Sequence, residues 1–213
     1  MKDIAIYGAG GLGREVACLI RIINLKDAQW NLIGYFDDVK EIGYKTEYGS
    51  VIGGIKELNS YQKPISVIIA IGSTKAIFRI TSNITNPLVE FPNIIAPDAL
   101  FFDKENISIG KGNLIFLGCN FSCNVSIGDF NIFYGSLGIG HDARIGNYNS
   151  IMPAVRISGN VRIGDRNFFG ISSVLLQKME IGNDTVIGAN SLIIHKTKDG
   201  KTYVGNPAKM IHY

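Results

Sequence analysis

From residue 109 to residue 193 the chain repeats itself every six residues. An aliphatic residue or a phenylalanine stands at Ile109, Ile115, Phe121, Ile127, Phe133, Ile139, Ile145, Ile151, Ile157, Ile163, Phe169, Leu175, Ile181, Ile187 and Ile193, fifteen positions without a slip. Glycine follows the apolar residue directly at 110, 128, 140, 146, 164, 170, 182 and 188. A fixed short period of this length is the signature of a solenoid. One hexad reads as a short strand plus a turn, and three hexads as a triangular coil that returns to the same corner after 18 residues. Fifteen hexads then make five coils, each packed mainly on its neighbours. The large side chains point inward, and the glycines relieve crowding or supply unusual backbone angles at the turns. The period alone leaves the hand of the winding open.

The first 90 or so residues have another rhythm. The run Ile4 to Tyr7 reads as a strand ending at glycines, and Arg14 to Asn24 carries apolar residues at helical spacing: Val16, Leu19, Ile20 and Ile23. Asn31 to Phe36 reads as the next strand, Val67 to Ile71 as a fully apolar one, with Ser73 placed to cap a following helix. Alternating strands and helices predict a small parallel sheet with room for about four strands. Pro92 and Pro97 mark the boundary. The expected organisation is an α/β, Rossmann-like domain over 1–95 and a parallel β-helix with a C-terminal tail over 96–213.

Composition narrows the function. The chain has 213 residues, 46% hydrophobic and 18% charged, with a net charge of +3. That charge is too small to imply a nucleic-acid partner. No apolar run is long enough for a signal peptide or a membrane span. Three cysteines, Cys18, Cys119 and Cys123, form neither a CxxC pair nor a disulfide framework, so a reducing, cytoplasmic setting is expected.

Two segments carry chemistry. Gly8-Ala9-Gly10-Gly11-Leu12-Gly13 is a GxGxxG run between a strand and a helix, where backbone approaches a pyrophosphate. Asp37 and Asp38 end the next strand, where a carboxylate meets a ribose or base, and Gly72 ends another strand on the same edge. Taken alone, this fits NAD as well as it fits a nucleotide sugar, and the short domain argues against a full dinucleotide fold. The second segment is Ile139-Gly140-His141-Asp142. Imidazole suits proton removal near neutral pH, and Asp142 is placed to orient it. Cys123, His141, Gly159, Gln177 and His195 are spaced by 18 and should form one column. Gly159 then lies one coil, about 4.8 Å, from His141, its N–H available to an oxyanion. Cys123, one coil below, reads as a packed free cysteine rather than an acyl-enzyme nucleophile. His195 lies roughly 14 Å along the axis, and with His212 the three histidines do not suit a shared metal.

The hexads, the Gly-rich domain before them, His141-Asp142 in their middle and Val204-Gly205-Asn206-Pro207-Ala208-Lys209 after them together resemble the left-handed β-helix, or hexapeptide-repeat, sugar acetyltransferases of the sialic acid O-acetyltransferase type. The resemblance extends over nearly the whole chain. It is nearest to bacterial N-acetyltransferases of nucleotide-linked 4-amino-4,6-dideoxy sugars, those of the bacillosamine, perosamine and viosamine precursors. It implies a left-handed winding, a homotrimer, and acetyl-CoA held between adjacent β-helices. It also implies a nucleotide-linked amino sugar on the first domain, His141 as general base, and a role in surface polysaccharide or lipopolysaccharide synthesis. By the same resemblance Gly159, Ile171, Gly188, Gly205, Pro207 and Ala208 line the donor groove; Lys209 reads either as a phosphate partner or as a solvated lysine. Met152, Leu176 and Ile194, apolar where glycine is frequent, are a weaker sign of oligomerisation. A second histidine found in some relatives is Ser150 here. An O-acetyltransferase acting on a sialic acid-like sugar, and a non-catalytic sugar-nucleotide-binding protein, are the alternatives.

Overall fold

The computed structural model describes residues 1–211, so His212 lies outside the described residues. The chain forms two compact units, Met1–Pro97 and Asp98–Tyr213.

The first unit is a mostly parallel α/β sheet, with strands β1 (Lys2–Tyr7), β2 (Trp30–Phe36), β3 (Lys45–Thr46), β4 (Gly49–Gly53), β5 (Ile65–Ile69) and β6 (Val89–Glu90). They lie in the order β3-β4-β2-β1-β5-β6. All neighbours are parallel except the short β3–β4 pair. The expectation of about four strands is therefore corrected to six. The additions are the Gly-flanked β4 and two-residue strands at the sheet's edges, too short to show a pattern. Helices α1 (Gly11–Lys26), α2 (Ile55–Asn59) and α3 (Thr74–Asn83) connect them. β1 and β5 are apolar nearly throughout because they run through the centre of the sheet, and α1 buries Val16, Ala17, Leu19, Ile20 and Ile23 in one stripe. Ser73 caps α3, accepting the N–H of Ala76 at 3.4 Å.

The second unit is a left-handed parallel β-helix. Face one includes Leu114–Ile115, Ile132–Phe133, Ser150–Ile151, Phe168–Phe169 and Val186–Ile187. Face two runs from Leu100–Phe101 through Asn120–Phe121, Gly138–Ile139, Arg156–Ile157 and Val174–Leu175 to Leu192–Ile193. Face three holds Ser108–Ile109, Ser126–Ile127, Arg144–Ile145, Arg162–Ile163 and Glu180–Ile181. Each hexad strand pairs with the one 18 residues on, as Phe121 with Ile139 and Ile139 with Ile157. The hexad side chains are buried, except Ile109 on the first rung of face three.

The turns resolve the role of the glycines. Positive φ falls three residues after the apolar position, at Gly112 and Gly118 in the first two hexads and then at Asn124, Phe130, Ser136, Asp142, Tyr148, Ala154, Asn160, Arg166, Ser172, Lys178, Asp184 and Asn190. From Asn124 on, none of these is glycine. The glycines after the apolar residues serve crowding instead: a Cβ on Gly128 would lie 2.7 Å from the Gly146 carbonyl oxygen. Left-handed backbone costs about 1–2 kcal/mol per non-glycine residue. Full burial of one aliphatic side chain returns about 2 kcal/mol. Each hexad from Phe121 to Ile187 supplies one of each, and the inward column carries the turn.

The helix also starts before the periodic stretch. Leu100–Phe101 already pairs with Asn120–Phe121. Between Phe101 and Ile109 a 3-10 turn, Lys104–Asn106, breaks the six-residue count. After Ile193 the chain re-enters face one as Thr202–Gly205, then folds back antiparallel as Ala208–Ile211.

Candidate active site

His141 sits at the corner where face two passes into face three. It projects because the turn there places Asp142 at φ 59°, and the Asp142 N–H reaches back to the Cys123 carbonyl at 3.0 Å. The imidazole Nδ1 meets Asp142 Oδ2 at 2.7 Å. Asn124, one coil earlier, donates its Nδ2 to Asp142 Oδ1 at 2.6 Å. Both carboxylate oxygens are thus committed. The hydrogen bond to His141, followed by that from Asn124, holds the Asp142 carboxyl below the usual carboxylate range. Asn124 was not singled out from the sequence, although its spacing of 18 from Asp142 marks it.

The other ring nitrogen faces Gly159. A Cβ on Gly159 would stand 2.4 Å from His141 Nε2, so only glycine leaves the imidazole its place. Gly159 is buried, its carbonyl accepts the Lys178 N–H at 3.1 Å, and its own N–H donates to no group among the described residues. A proton acceptor and a free backbone donor therefore share one edge of the corner. The pair remains accessible, with the His141 and Asp142 side chains 47% and 40% exposed. An open hollow of about 310 Å³ lies on the face-two side, floored by Gly138, Gly140 and Ser158. Cys123 is exposed below His141 and bonds at the limit to Ser122, at 4.0 Å. His195 is exposed three coils away in the same column.

The remaining groove residues do not converge on His141 within the chain. Ile171, 48% exposed, belongs to the corner between faces one and two. Gly188 leads into that same corner, and a Cβ there would meet Val204 at 2.9 Å. Gly205, at φ 110°, donates its N–H to Ser191 Oγ at 3.1 Å and pairs with Ala208 across the hairpin that holds Pro207. These residues occupy one edge of face two, and His141 with Gly159 the other. Ser150 is buried on face one, away from the His141 corner. Met152 and Ile194 are half-buried and Leu176 is 43% exposed.

In the first unit a cleft of about 610 Å³ opens beside the glycine run. The glycines divide by task. Gly8, at φ 112°, and Gly13, whose Cβ would fall on the Gly8 carbonyl oxygen, bring helix and strand together. Gly10, Gly11 and Gly72 have open space before them and line the cleft. The N-terminus of α1 has no side-chain cap and no acidic residue in its first turn, so its N–H groups face outward uncompensated. Asp37 and Asp38 also line the cleft, but their oxygens are engaged. Asp37 accepts the N–H groups of Ala9, Val39 and Lys40 at 2.8, 2.8 and 3.0 Å. Burial works to raise its pKa, and the three donors outweigh it and hold the carboxyl down. Asp38 accepts the Tyr7 hydroxyl at 2.5 Å and the Ile55 N–H at 2.8 Å. Burial first, then that bond, pushes the Tyr7 hydroxyl far above its ordinary range. The two aspartates build the cleft wall and pin the loop that carries Ala9. Tyr7, missed in the sequence, holds the second of them.

Among the described residues no group of three His, Cys, Asp or Glu side chains is arranged to hold a metal ion, and no helix is long and apolar enough to cross a membrane.

Residues 3–83 match the family model of the PglD N-terminal domain. No curated protein matches the chain. Among solved structures, the acetyltransferase domain of PglB from Neisseria gonorrhoeae is 26% identical, with a TM-score of 0.89 over 99% of this chain and 100% of that one. WeeI from Acinetobacter baumannii is 25% identical, with a TM-score of 0.87 over 99% of this chain and 100% of that one. A histidine-to-asparagine mutant of perosamine N-acetyltransferase from Caulobacter crescentus, solved with CoA and GDP-perosamine, is 21% identical; its TM-score is 0.86 over 100% of this chain and 98% of that one. The PglB domain has also been solved with acetyl coenzyme A. With a PglD N-terminal domain over residues 3–83, a left-handed β-helix after it and full-length likeness to the PglB acetyltransferase domain, the chain has the two-part architecture of an acetyl-CoA-dependent sugar N-acetyltransferase.

Proposed function

We propose that the chain transfers an acetyl group from acetyl-CoA to the amine of a nucleotide-linked amino-deoxy sugar of the 4-amino-4,6-dideoxy class. One observation carries this reading: Nε2 of a carboxylate-anchored histidine stands over a glycine whose N–H is unengaged. Acetyl-CoA supplies an activated thioester. The amine must lose a proton as it bonds to the acyl carbon. Asp142 and Asn124 fix the ring so that Nδ1 is occupied and Nε2 is the basic nitrogen. The Gly159 N–H donates a hydrogen bond to the acyl oxygen as negative charge gathers there. His141 then returns its proton to the departing CoA sulfur, and the site is reset.

The open glycine edge of the first-unit cleft and the uncapped start of α1 support a phosphate-bearing acceptor. The perosamine enzyme was crystallised with GDP-perosamine, a ligand of this class. The split of the groove residues between the two edges of face two supports a homotrimer. His141 and Gly159 of one copy complete a donor site only when Ile171, Gly188 and the 205–208 hairpin of another copy lie opposite. The chain would then act in surface polysaccharide synthesis.

The reading is tested by offering acetyl-CoA with a panel of UDP-, dTDP- and GDP-linked 4-amino sugars and following free thiol. Thiol release with at least one of them, and N-acetyl product by mass spectrometry, is expected. Release with a sialic acid and with no nucleotide sugar would turn the reading to O-acetylation. Binding of the nucleotide sugars without any release would make the chain a binding protein.

A further inference from the structure

Beyond the His141 corner, face three carries charges that the acetyl-transfer residues do not use. Arg144 and Arg162 stand directly opposite one another in register on adjacent strands. Like charges so placed repel, and a fold free to choose would separate them. Lys178 joins them from the corner column above Asn160, and the three line one polar groove of about 380 Å³ that begins at Asp142. The two acids in that groove are already engaged. Asp142 is held by His141 and Asn124, and Glu180 by Lys196 at 2.7 Å. Arg144, Arg162 and Lys178 make no ion pair among the described residues. The outer corner of the same β-helix shows the alternative, since Arg166 there is bonded twice to Asp184, at 2.9 and 2.8 Å. Arg162 also has Glu180 opposite it one coil on, but that carboxylate is bonded by Lys196, so no carboxylate is left to the opposed arginines alone.

We propose that Arg144, Arg162 and Lys178 form a phosphate-binding groove leading to His141, and that it holds a phosphate group of one of the two substrates while the acyl and amine groups meet at the imidazole. The guanidinium forks suit phosphate oxygens in pairs, and an anion lying between two opposed arginines removes the repulsion that the register imposes. The hollow on the other side of His141, floored by glycines and Ser158, has no such charge set, with Arg156 there turned onto the Ser136 carbonyl at 2.6 Å. His141 thus divides an uncharged approach from an anion-holding one. The proposal rests on the acetyl-transfer reading for the identity of the substrates, and the phosphate can belong to the acyl donor or to the sugar nucleotide.

The test is calorimetric titration of the full chain and of the R144Q/R162Q double variant with CoA, 3′-dephospho-CoA, UDP, GDP and dTDP at one ionic strength. Both arginines are exposed, so the variant is expected to melt with the wild type. The expected result is binding weakened about tenfold or more for at least one probe, with the R144K/R162K variant, which keeps the charge and loses the fork, falling between wild type and the double glutamine variant. Weakening for CoA but not for 3′-dephospho-CoA assigns the groove to the 3′-phosphate. Weakening for both assigns it to the diphosphate of the donor. Weakening only for the nucleoside diphosphates assigns it to the acceptor. All five affinities unchanged within twofold overturn the proposal, as does a wild type that binds none of them. Because binding is read without turnover, a wild type that binds CoA yet acetylates no sugar sinks the reaction and leaves the groove standing.

Discussion

Two corners of the same prism are built on opposite rules. Where face three passes into face one, the interior position is asparagine in four successive coils: Asn113, Asn131, Asn149 and Asn167, all buried. Each Oδ1 accepts the backbone N–H of the asparagine one coil on, at 2.9 Å, and the series ends on Thr185 at 2.8 Å. Outside this ladder Phe130 and Tyr148 stack at 5.4 Å. At the corner between faces two and three the interior is apolar, with Val125, Ala143 and Val161. The exterior column changes at every coil: Cys123, His141, Gly159, Gln177. The first corner repeats and satisfies itself. The second breaks the repeat, and its hydrogen bonds gather around one imidazole. In a solenoid, stability comes from what recurs and chemistry from what does not.

The comparison is broken most severely at His141. His141→Ala removes the proposed base and little packing beyond its contact with Gly159, since the side chain is about half exposed. A positioned general base contributes about 10²–10⁴-fold. A fall in kcat of about a thousandfold is expected, with the melting temperature and the assembly state unchanged in calorimetry and light scattering. Turnover within tenfold of wild type would remove His141 from the mechanism.

The laddered corner should respond the other way. Asn149→Ala deletes the acceptor of the Asn167 N–H and Nδ2 and the donor to the Gly164 carbonyl. Each buried group left without a partner costs about 1–3 kcal/mol. A loss of about 3 kcal/mol in urea unfolding is expected, and the protein that remains folded should keep its kcat and KM. A kinetic defect without a stability defect would mean that the two corners are not separable.

How far these corners are legible in the sequence follows from the same contrast. The apolar column shows because it recurs, and so the coil length and the column of His141 and Gly159 follow by counting. Asn124 is legible by the same count, but only after Asp142 has a task that needs a partner. The count fails where the period slips, which is why the rung from Phe101 to Ile109 stays hidden. In the first unit the long apolar strands are plain, while β3, at two residues, leaves no pattern. The Tyr7–Asp38 bond spans 31 residues and depends on strand register, which no local feature encodes. For the same reason Asp37 and Asp38 read as ligand groups in the sequence, and only the structure shows their oxygens occupied.

Gly159 tests the contrast most finely, because a single methyl group separates the roles. Its φ lies outside the left-handed region, so alanine meets no backbone penalty there. The three atoms nearest the new Cβ all belong to the His141 ring, at 2.4–2.8 Å. The ring must move by roughly an ångström, the scale of misplacement that costs about a hundredfold in rate. Gly159→Ala is therefore expected to lower kcat by about thirtyfold to a hundredfold while the unfolding midpoint stays in place. The ring's displacement should show in the imidazole shifts of an NMR spectrum, against an unshifted Asn ladder. A variant with full activity would place the reacting groups elsewhere than the edge shared by Nε2 and the Gly159 N–H. A variant that unfolds would show that this corner, too, is held by packing, and the division between the two corners would fall.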